Sequence, residues 1–134
     1  MDAERRFAAE RVARLATIGP GGPHIVPVVF AVGANCVYLA IDHKPKTTRR
    51  LRRLANIAAN PDVSLIVDRY DEDWSALWWV RVDGTARVVD ADSVAGVAAI
   101  DALVAKYAQY SGARPEGPAI VVSGLRWSAW SAQI

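Results

Sequence analysis

Six cations crowd into the thirteen residues from Asp42 to Leu54 (DHKPKTTRRLRRL), and their types and spacing are those of an anion site. Lys46, Arg49, Arg50 and Arg53 recur at i, i+3, i+4 and i+7, which puts them on one face of a helix; Arg52 points elsewhere and Lys44 precedes the helix. Thr47 and Thr48 fall in its first turn, where free backbone N–H groups and the positive end of the helix dipole favour negative charge. Hydroxyls, free amides, lysine and fork-shaped guanidinium groups together make a phosphate seat. A solvated helix face has the same composition, and a polynucleotide is a third partner for clustered cations. Residue types alone leave all three open.

The charge of the remaining chain narrows that choice. It holds 16 Lys and Arg against 14 Asp and Glu, so without the six clustered cations ten face 14 and the remainder is acidic. Basicity confined to one knot suits a discrete anionic ligand better than a polyanion track, and no nucleic acid is expected. The aromatic residues Trp74, Trp78 and Trp79 lie on a different element from the cations, so the interleaved stacking platform of a single-strand binder is missing.

Other chemistries find little support. His24 and His43 are the only histidines, and neither has cysteine partners at metal-ligand spacing. His24 abuts a turn, the ordinary place of a structural or ligand-contacting histidine. Cys36 stands alone in an apolar run, as a buried inert thiol does. Asp68, Asp71, Glu72 and Asp73 crowd an exposed connection and read as solvated. Neither a GxSxG elbow, a P-loop nor a GxGxxG turn occurs. No catalytic side chain and no metal are therefore assigned, and redox chemistry would come from a bound cofactor. Trp78 and Trp79 are neighbours on a strand and face opposite sides, so one can enter the core while the other lines a cavity or an interface. Plain core and dimer packing explains the pair equally. Trp127 and Trp130 also face opposite sides of an extended strand.

These residues must be positioned by a chain of 134 residues, enough for one domain with one core and no disulfide. Hydrophobic residues make up 52%, yet no run approaches the roughly 20 apolar residues of a membrane helix. The charged N-terminus reads as an amphipathic helix over residues 2–14 and not as a signal peptide, so a cytoplasmic protein without a membrane partner is expected. Two strands follow around a Gly-rich hairpin between Ile18 and His24. In the second, Val26, Val28 and Phe30 alternate with Pro27, Val29 and Ala31, and both faces are apolar. Such a strand is covered on both sides, and Pro27 marks an edge or a bulge. CVYLAID is a third strand after the turn at residues 33–35. The basic helix comes next, with Thr47, Leu51, Leu54 and Ala58 on its apolar face, and Asn60-Pro61 ends it. DVSLIVDRY and WWVRVDGTARVVD are strands, the latter with a bulge at Asp83-Gly84. A helix over about 92–110 presents Val97, Ile100, Val104 and Tyr107, and AIVVSGLRWSAW is the last strand. Turns too short for parallel crossovers predict a mainly antiparallel sheet, most simply a small barrel flanked by helices.

The segments ERVARLATIGPGGPHIVPVVFAV, CVYLAIDHKPKTTRRLRRLANIAANPDVSLIVD and DWSALWWVRVDGTARVV together resemble the pyridoxamine 5′-phosphate oxidase-like split β-barrel superfamily. More narrowly, they are similar to its actinobacterial deazaflavin-dependent branch, the F420-dependent reductases. The resemblance implies an α+β, mainly β fold, a split β-barrel of about six mainly antiparallel strands with flanking helices, and a homodimer with cofactor sites at the subunit interface. It also implies that Lys44, Lys46, Thr47, Thr48, Arg49 and Arg50 hold the cofactor's phosphate. The ring would then lie against Val26, Pro27, Val28 and the backbone near Ala40 to Asp42, with Trp78, Trp79 and Arg81 of the other subunit closing the site. The implied activity is hydride transfer between reduced coenzyme F420 and an electrophilic small-molecule substrate. A polyglutamyl tail suits six cations better than compact FMN does. A non-catalytic carrier of F420, FMN or haem and an FMN-dependent oxidase or reductase stay as alternatives. The usual pyridoxal-phosphate-binding residues are not evident in GLRWSAW, which argues against pyridoxamine phosphate oxidation.

Overall fold

The computed structural model describes residues 2–41 and 48–132, without the side chains of residues 48–51. Helix α1 (Ala3–Ala8) is capped by the Asp2 carboxylate, which accepts from the Arg5 amide at 3.3 Å. It stops well short of residue 14. From Ala13 onward Ala13, Leu15 and Thr17 are buried while Arg14 and Ile18 are exposed, a period of two that makes strand β1 (Ala13–Gly19). The turn at Pro20-Gly21 leads to β2 (Gly22–Val28), paired antiparallel with β1 in the register Gly19 to Gly22.

The second apolar run does not continue as one strand. It breaks at Val29-Phe30 and restarts as β3 (Ala31–Gly33), which turns through Asn35, a non-glycine residue at φ 61°, into β4 (Cys36–Ala40). Helix α2 (Thr48–Ala59), β5 (Asp62–Arg69), β6 (Trp78–Val89), α3 (Val94–Lys106) and β7 (Ala119–Ser131) complete the order. All pairings are antiparallel, and the strands lie in the order β2-β1-β5-β6-β7-β4-β3. The described residues form seven strands, where about six were expected, because of the break at Val29-Phe30.

That break also gives the sheet its shape. β2 and β3 are its opposite edges, yet Val28 and Ala31 are three residues apart and so within roughly 11 Å. Seven strands whose edges nearly touch must curl around a core, while no ladder joins the edges among the described residues. This is an α+β split barrel. Pro27 sits on the edge strand, where its missing N–H leaves no ladder bond unmade.

Leu15, Leu39, Leu65, Val80, Val82, Ile120 and Val122 fill the interior, and Phe7 of α1 packs its ring against Phe30 and Trp127 at 4.7 and 5.3 Å between centroids. On β7, Ile120 and Val122 face this core while Ala119 and Val121 face α3. That strand is covered on both sides. β2 is not, contrary to the sequence expectation: Ile25 is 64% exposed and Val29 is exposed as well, because no helix among the described residues covers the outer side of the β1-β2 edge.

Each long helix departs from its expected face only in part: Ile100 and Tyr107 are buried as expected, whereas Ala58 and Val97 are not. α2 buries Asn56 and Ile57 and leaves Ala58 exposed. α3 buries Gly96, Ala99, Ile100 and Leu103, turning Val97 outward, since Gly96 lies so close to the Asp90 carbonyl that any Cβ there would collide with it. This helix ends at Lys106, and a 3₁₀ turn over Ala108–Tyr110 follows. The bulge expected at Asp83-Gly84 appears as a register shift between Asp83 and Thr85.

Candidate functional site

The break in the second apolar run also makes a slot. Where β2 ends, Pro27, Val28 and Val29 face the end of β4 at Leu39, Ala40 and Ile41, and the space between them forms a cavity of about 330 Å³. Arg53 enters from α2 and Tyr110 from the 3₁₀ turn after α3. Among the described residues no ladder joins β2 to β4 here, because β2 turns away to become β3. The strand-end side chains are apolar, but the surface left open between them is mostly polar, with Arg53 and Tyr110 beside strand-end backbone, so the natural occupant is a planar ligand with polar edges and an anionic group.

Tyr107 holds the slot open. Its hydroxyl accepts the Phe30 amide at 3.1 Å and lies 2.9 Å from the Phe30 carbonyl and 2.8 Å from that of Arg11, to which it donates. The crossing between β2 and β3 is thereby tied to the end of α3. Burial pushes the Tyr107 phenol above its ordinary pKa, while the Phe30 amide and the Arg11 guanidinium act against the rise. Tyr110 packs on Tyr107 with ring centroids 6.1 Å apart, edge to face, which sets its place at the cavity.

Of the residues read from the sequence as cofactor-binding, Pro27 and Val28 line this cavity, as do Ala40 and Ile41. Val26 does not line it; its side chain packs on the barrel core. Thr48, Arg49 and Arg50 form the start of α2, and Asp42, Lys44, Lys46 and Thr47 lie outside the described residues, as does His43. Arg53, which the resemblance did not place among the residues holding the phosphate, lines the cavity. The i, i+3, i+4 spacing from Arg49 and Arg50 already carried that signal. Tyr107 and Tyr110 were legible only as helix residues, since their role depends on where α3 ends.

Trp78, Trp79 and Arg81 do not line this cavity. Trp78 lies against α1, with the Arg6 guanidinium 4.6 Å from its ring centroid and that of Arg69 at 6.0 Å. Trp79 is paired with Trp130 across β6 and β7 and has the Arg81 guanidinium at 5.9 Å. Arg81 also bridges to Asp83 at 3.2 Å. His24 lines a separate cavity under the β1-β2 hairpin. Asp68 pairs with Arg14 at 3.1 Å, Asp71, Glu72 and Asp73 are exposed, and no group of acidic, histidine or cysteine side chains among the described residues could hold a metal ion. Nor is any helix among them long and apolar enough to cross a membrane.

Solved structures share this fold throughout its length. A conserved hypothetical protein from Mycobacterium tuberculosis superposes with a TM-score of 0.75 at 20% identity, covering 98% of this chain and 85% of that one. HutZ, the haem storage protein from Vibrio cholerae, gives 0.70 at 19% identity over 96% and 91%. An F420 reductase gives 0.60 at 22% identity over 93% and 94%. No curated protein matches this chain. The family model for pyridoxamine 5′-phosphate oxidase matches residues 2–131, and the chain belongs to that family, which includes oxidoreductases.

Proposed function

We propose that this chain binds coenzyme F420 and acts as an F420-dependent oxidoreductase on an electrophilic small molecule. The observation that carries the reading is the slot between the ends of β2 and β4, whose wall at Ile41 runs directly into the cation-rich sequence while α2 returns Arg53 to the same space. The fit is one of chemistry. Apolar side chains at the strand ends border a flat ring, the polar surface between them meets the ring's own polar edge, the guanidinium meets an acidic group, and the slot's volume lies at the small end of ligand pockets, as suits a ring whose tail lies outside. When bound, the reduced deazaflavin supplies a hydride from its C5 carbon.

The chain's own part is to bind, orient and keep water away. Pro27 to Val29 and Leu39 to Ile41 exclude water from the ring. Arg53, with Lys44, Lys46, Thr47, Thr48, Arg49 and Arg50, would hold the phosphate and the acidic tail, and the backbone near Asp42 would border the ring. A tail carrying several carboxylates uses more of these cations than the single phosphate of FMN, which ranks F420 first. We further propose a homodimer through the exposed outer face of β1 and β2, where Ile18, Ile25 and Val29 form an uncovered apolar strip, with Trp78, Trp79 and Arg81 of a second copy completing the site.

Equilibrium dialysis with F420, FMN and haem tests the reading. F420 should bind most tightly, and Lys46→Ala with Arg50→Ala, or Arg53→Gln alone, should weaken it about tenfold or more. Undetectable F420 binding would sink the proposal. The second reading is a carrier that binds one of these groups without turnover; it is favoured by a described lining in which the Tyr110 phenol is the one ordinary proton donor. Oxidation of reduced F420 by a panel of electrophiles separates enzyme from carrier.

A further inference from the structure

The larger of the two cavities flanking α2 is not the slot. It has a volume of about 680 Å³ and lies between the β1-β2 hairpin and the outer side of α2. Its floor is built by close contact. Asn56, buried on α2, donates from Nδ2 to Thr17 Oγ1 at 3.1 Å, and Gly19 lies so near that a Cβ there would sit 2.6 Å from Asn56 Oδ1. Glycine at position 19 therefore lets the helix seat against the hairpin. Over Gly21, by contrast, a Cβ would meet nothing within 4 Å, so the hairpin leaves its own upper space unfilled.

Two polar side chains line this space, Arg52 and His24, beside Asn56. His24 Nδ1 is shielded from solvent and has no hydrogen-bond partner, a costly state for a ring nitrogen that a turn of the ring toward a ligand in the cavity would relieve. Pro20, Pro23, Ala55 and Ala59 give the cavity rigid apolar walls, and no carboxylate is among its described lining residues. Small side chains on the helix and missing ones on the hairpin keep it empty. An apolar wall, one guanidinium and one unsatisfied imidazole nitrogen specify a ligand with a hydrophobic body and a single carboxylate. We infer that the hairpin cavity is a second small-molecule site, selective for apolar monocarboxylates, in which Arg52 pairs with the carboxylate and His24 Nδ1 hydrogen-bonds to it.

The site stands on residues other than those of the slot, so it holds or fails independently of the F420 reading. An acidic peptide tail is the competing occupant, because α2 carries Arg52 and Arg53 side by side to the two cavities. Its polar backbone would find little to bond to among two prolines and two alanines.

Amide and imidazole NMR on the cofactor-free protein decides the matter, with 3-phenylpropionate as the probe. Saturable shifts are expected at Gly21, Gly22, Ala55 and the His24 ring. Affinity should fall roughly tenfold in Arg52→Gln and for uncharged 3-phenylpropionamide, as loss of a charged hydrogen bond implies. Ala59→Trp, or Ala59→Leu where tryptophan disturbs α2, should abolish the shifts by filling the cavity. The inference is overturned if the probe fails to saturate, if the amide binds equally well, if γ-glutamylglutamate binds more tightly than 3-phenylpropionate, or if the shifts survive the filling variants.

Discussion

Two helices flank the Val29-Phe30 crossing, and they treat polar groups in opposite ways. On the α3 side the Tyr107 hydroxyl engages both backbone groups of Phe30 and the Arg11 carbonyl, Lys106 donates to the Glu10 carbonyl at 2.7 Å, and Arg11 donates to the Lys106 carbonyl at 2.8 Å. On the α2 side two cavities stand open, small residues line the hairpin cavity, and a buried histidine nitrogen has no partner. One flank is spent on holding the chain in place. The other keeps binding capacity in reserve, at the cost of unfilled volume.

Substitutions can break that division. The largest effect is expected at Phe30, fully buried between Phe7 and the α3 flank, where Phe30→Ala should destabilise by about 3–5 kcal/mol in urea unfolding. Next comes Tyr107→Phe, which keeps the ring and removes the hydroxyl. The buried Phe30 amide then loses its partner, at about 1–3 kcal/mol. Cofactor affinity should drop too, because this bond fixes the wall at Val29. If Tyr107→Phe leaves stability unchanged, the α3 flank is not the structural one.

Arg53→Gln sharpens the contrast from the other side. Its stability cost should be about 1 kcal/mol or less by thermal unfolding, since the guanidinium sits at a cavity and not in the core, while F420 affinity falls. A cost as large as that of Phe30→Ala would make Arg53 a structural residue and remove the α2 flank's claim to function.

The division was half legible in the sequence. Alternation in β6 and the β-branched run of β5 showed strands, the PGGP and Ala34-Asn35 turns showed hairpins, and the cation spacing on α2 showed a common face for Arg49, Arg50 and Arg53. What did not show was the break at Val29-Phe30. An unbroken apolar run says nothing about where a strand changes partners, and the slot exists only because this one does. The faces of α2 and α3 were misread in part, at Ala58 and Val97, for a related reason. Burial on those helices is decided by close approaches at Asn56 and Gly96, and hydropathy does not register a small or polar residue that lets two backbones meet. Tyr107 and Tyr110 were visible as an i, i+3 pair, but Tyr107 acts through a contact with the Phe30 backbone 77 residues earlier, and Tyr110 is placed by packing on Tyr107.

The smallest expected effect is a pH slope at Lys106. Burial, and then the Arg11 guanidinium, push this ammonium down from 10.5 to about 8, while the Glu10 carboxylate acts against them. The Phe30 ring, with Nζ 3.8 Å from its centroid, the Tyr107 ring at 5.3 Å and the Glu10 carbonyl favour the charged form as well. Below pH 8 both folded and unfolded chains carry the proton, so the penalty of the half-buried charge is fully present. Between about 8 and 10.5 the folded chain releases its proton first, the unfolded chain binds more protons, and stability rises with pH. Solvent at the exposed side of the group limits the gain to a fraction of a kcal/mol. Tyr107 works in the other direction: its raised phenol pKa means that the unfolded chain ionises first above pH 10, and stability then falls. The two neighbours should therefore give a shallow maximum between pH 9 and 10. Urea midpoints from pH 7 to 11 would show it, and Lys106→Met should flatten the rising limb while leaving the fall. A wild-type rising limb already as flat as the variant's would mean that ring, carbonyl and Glu10 hold the ammonium near its ordinary value, and that the α3 flank accommodates charge as readily as it does hydrogen bonds.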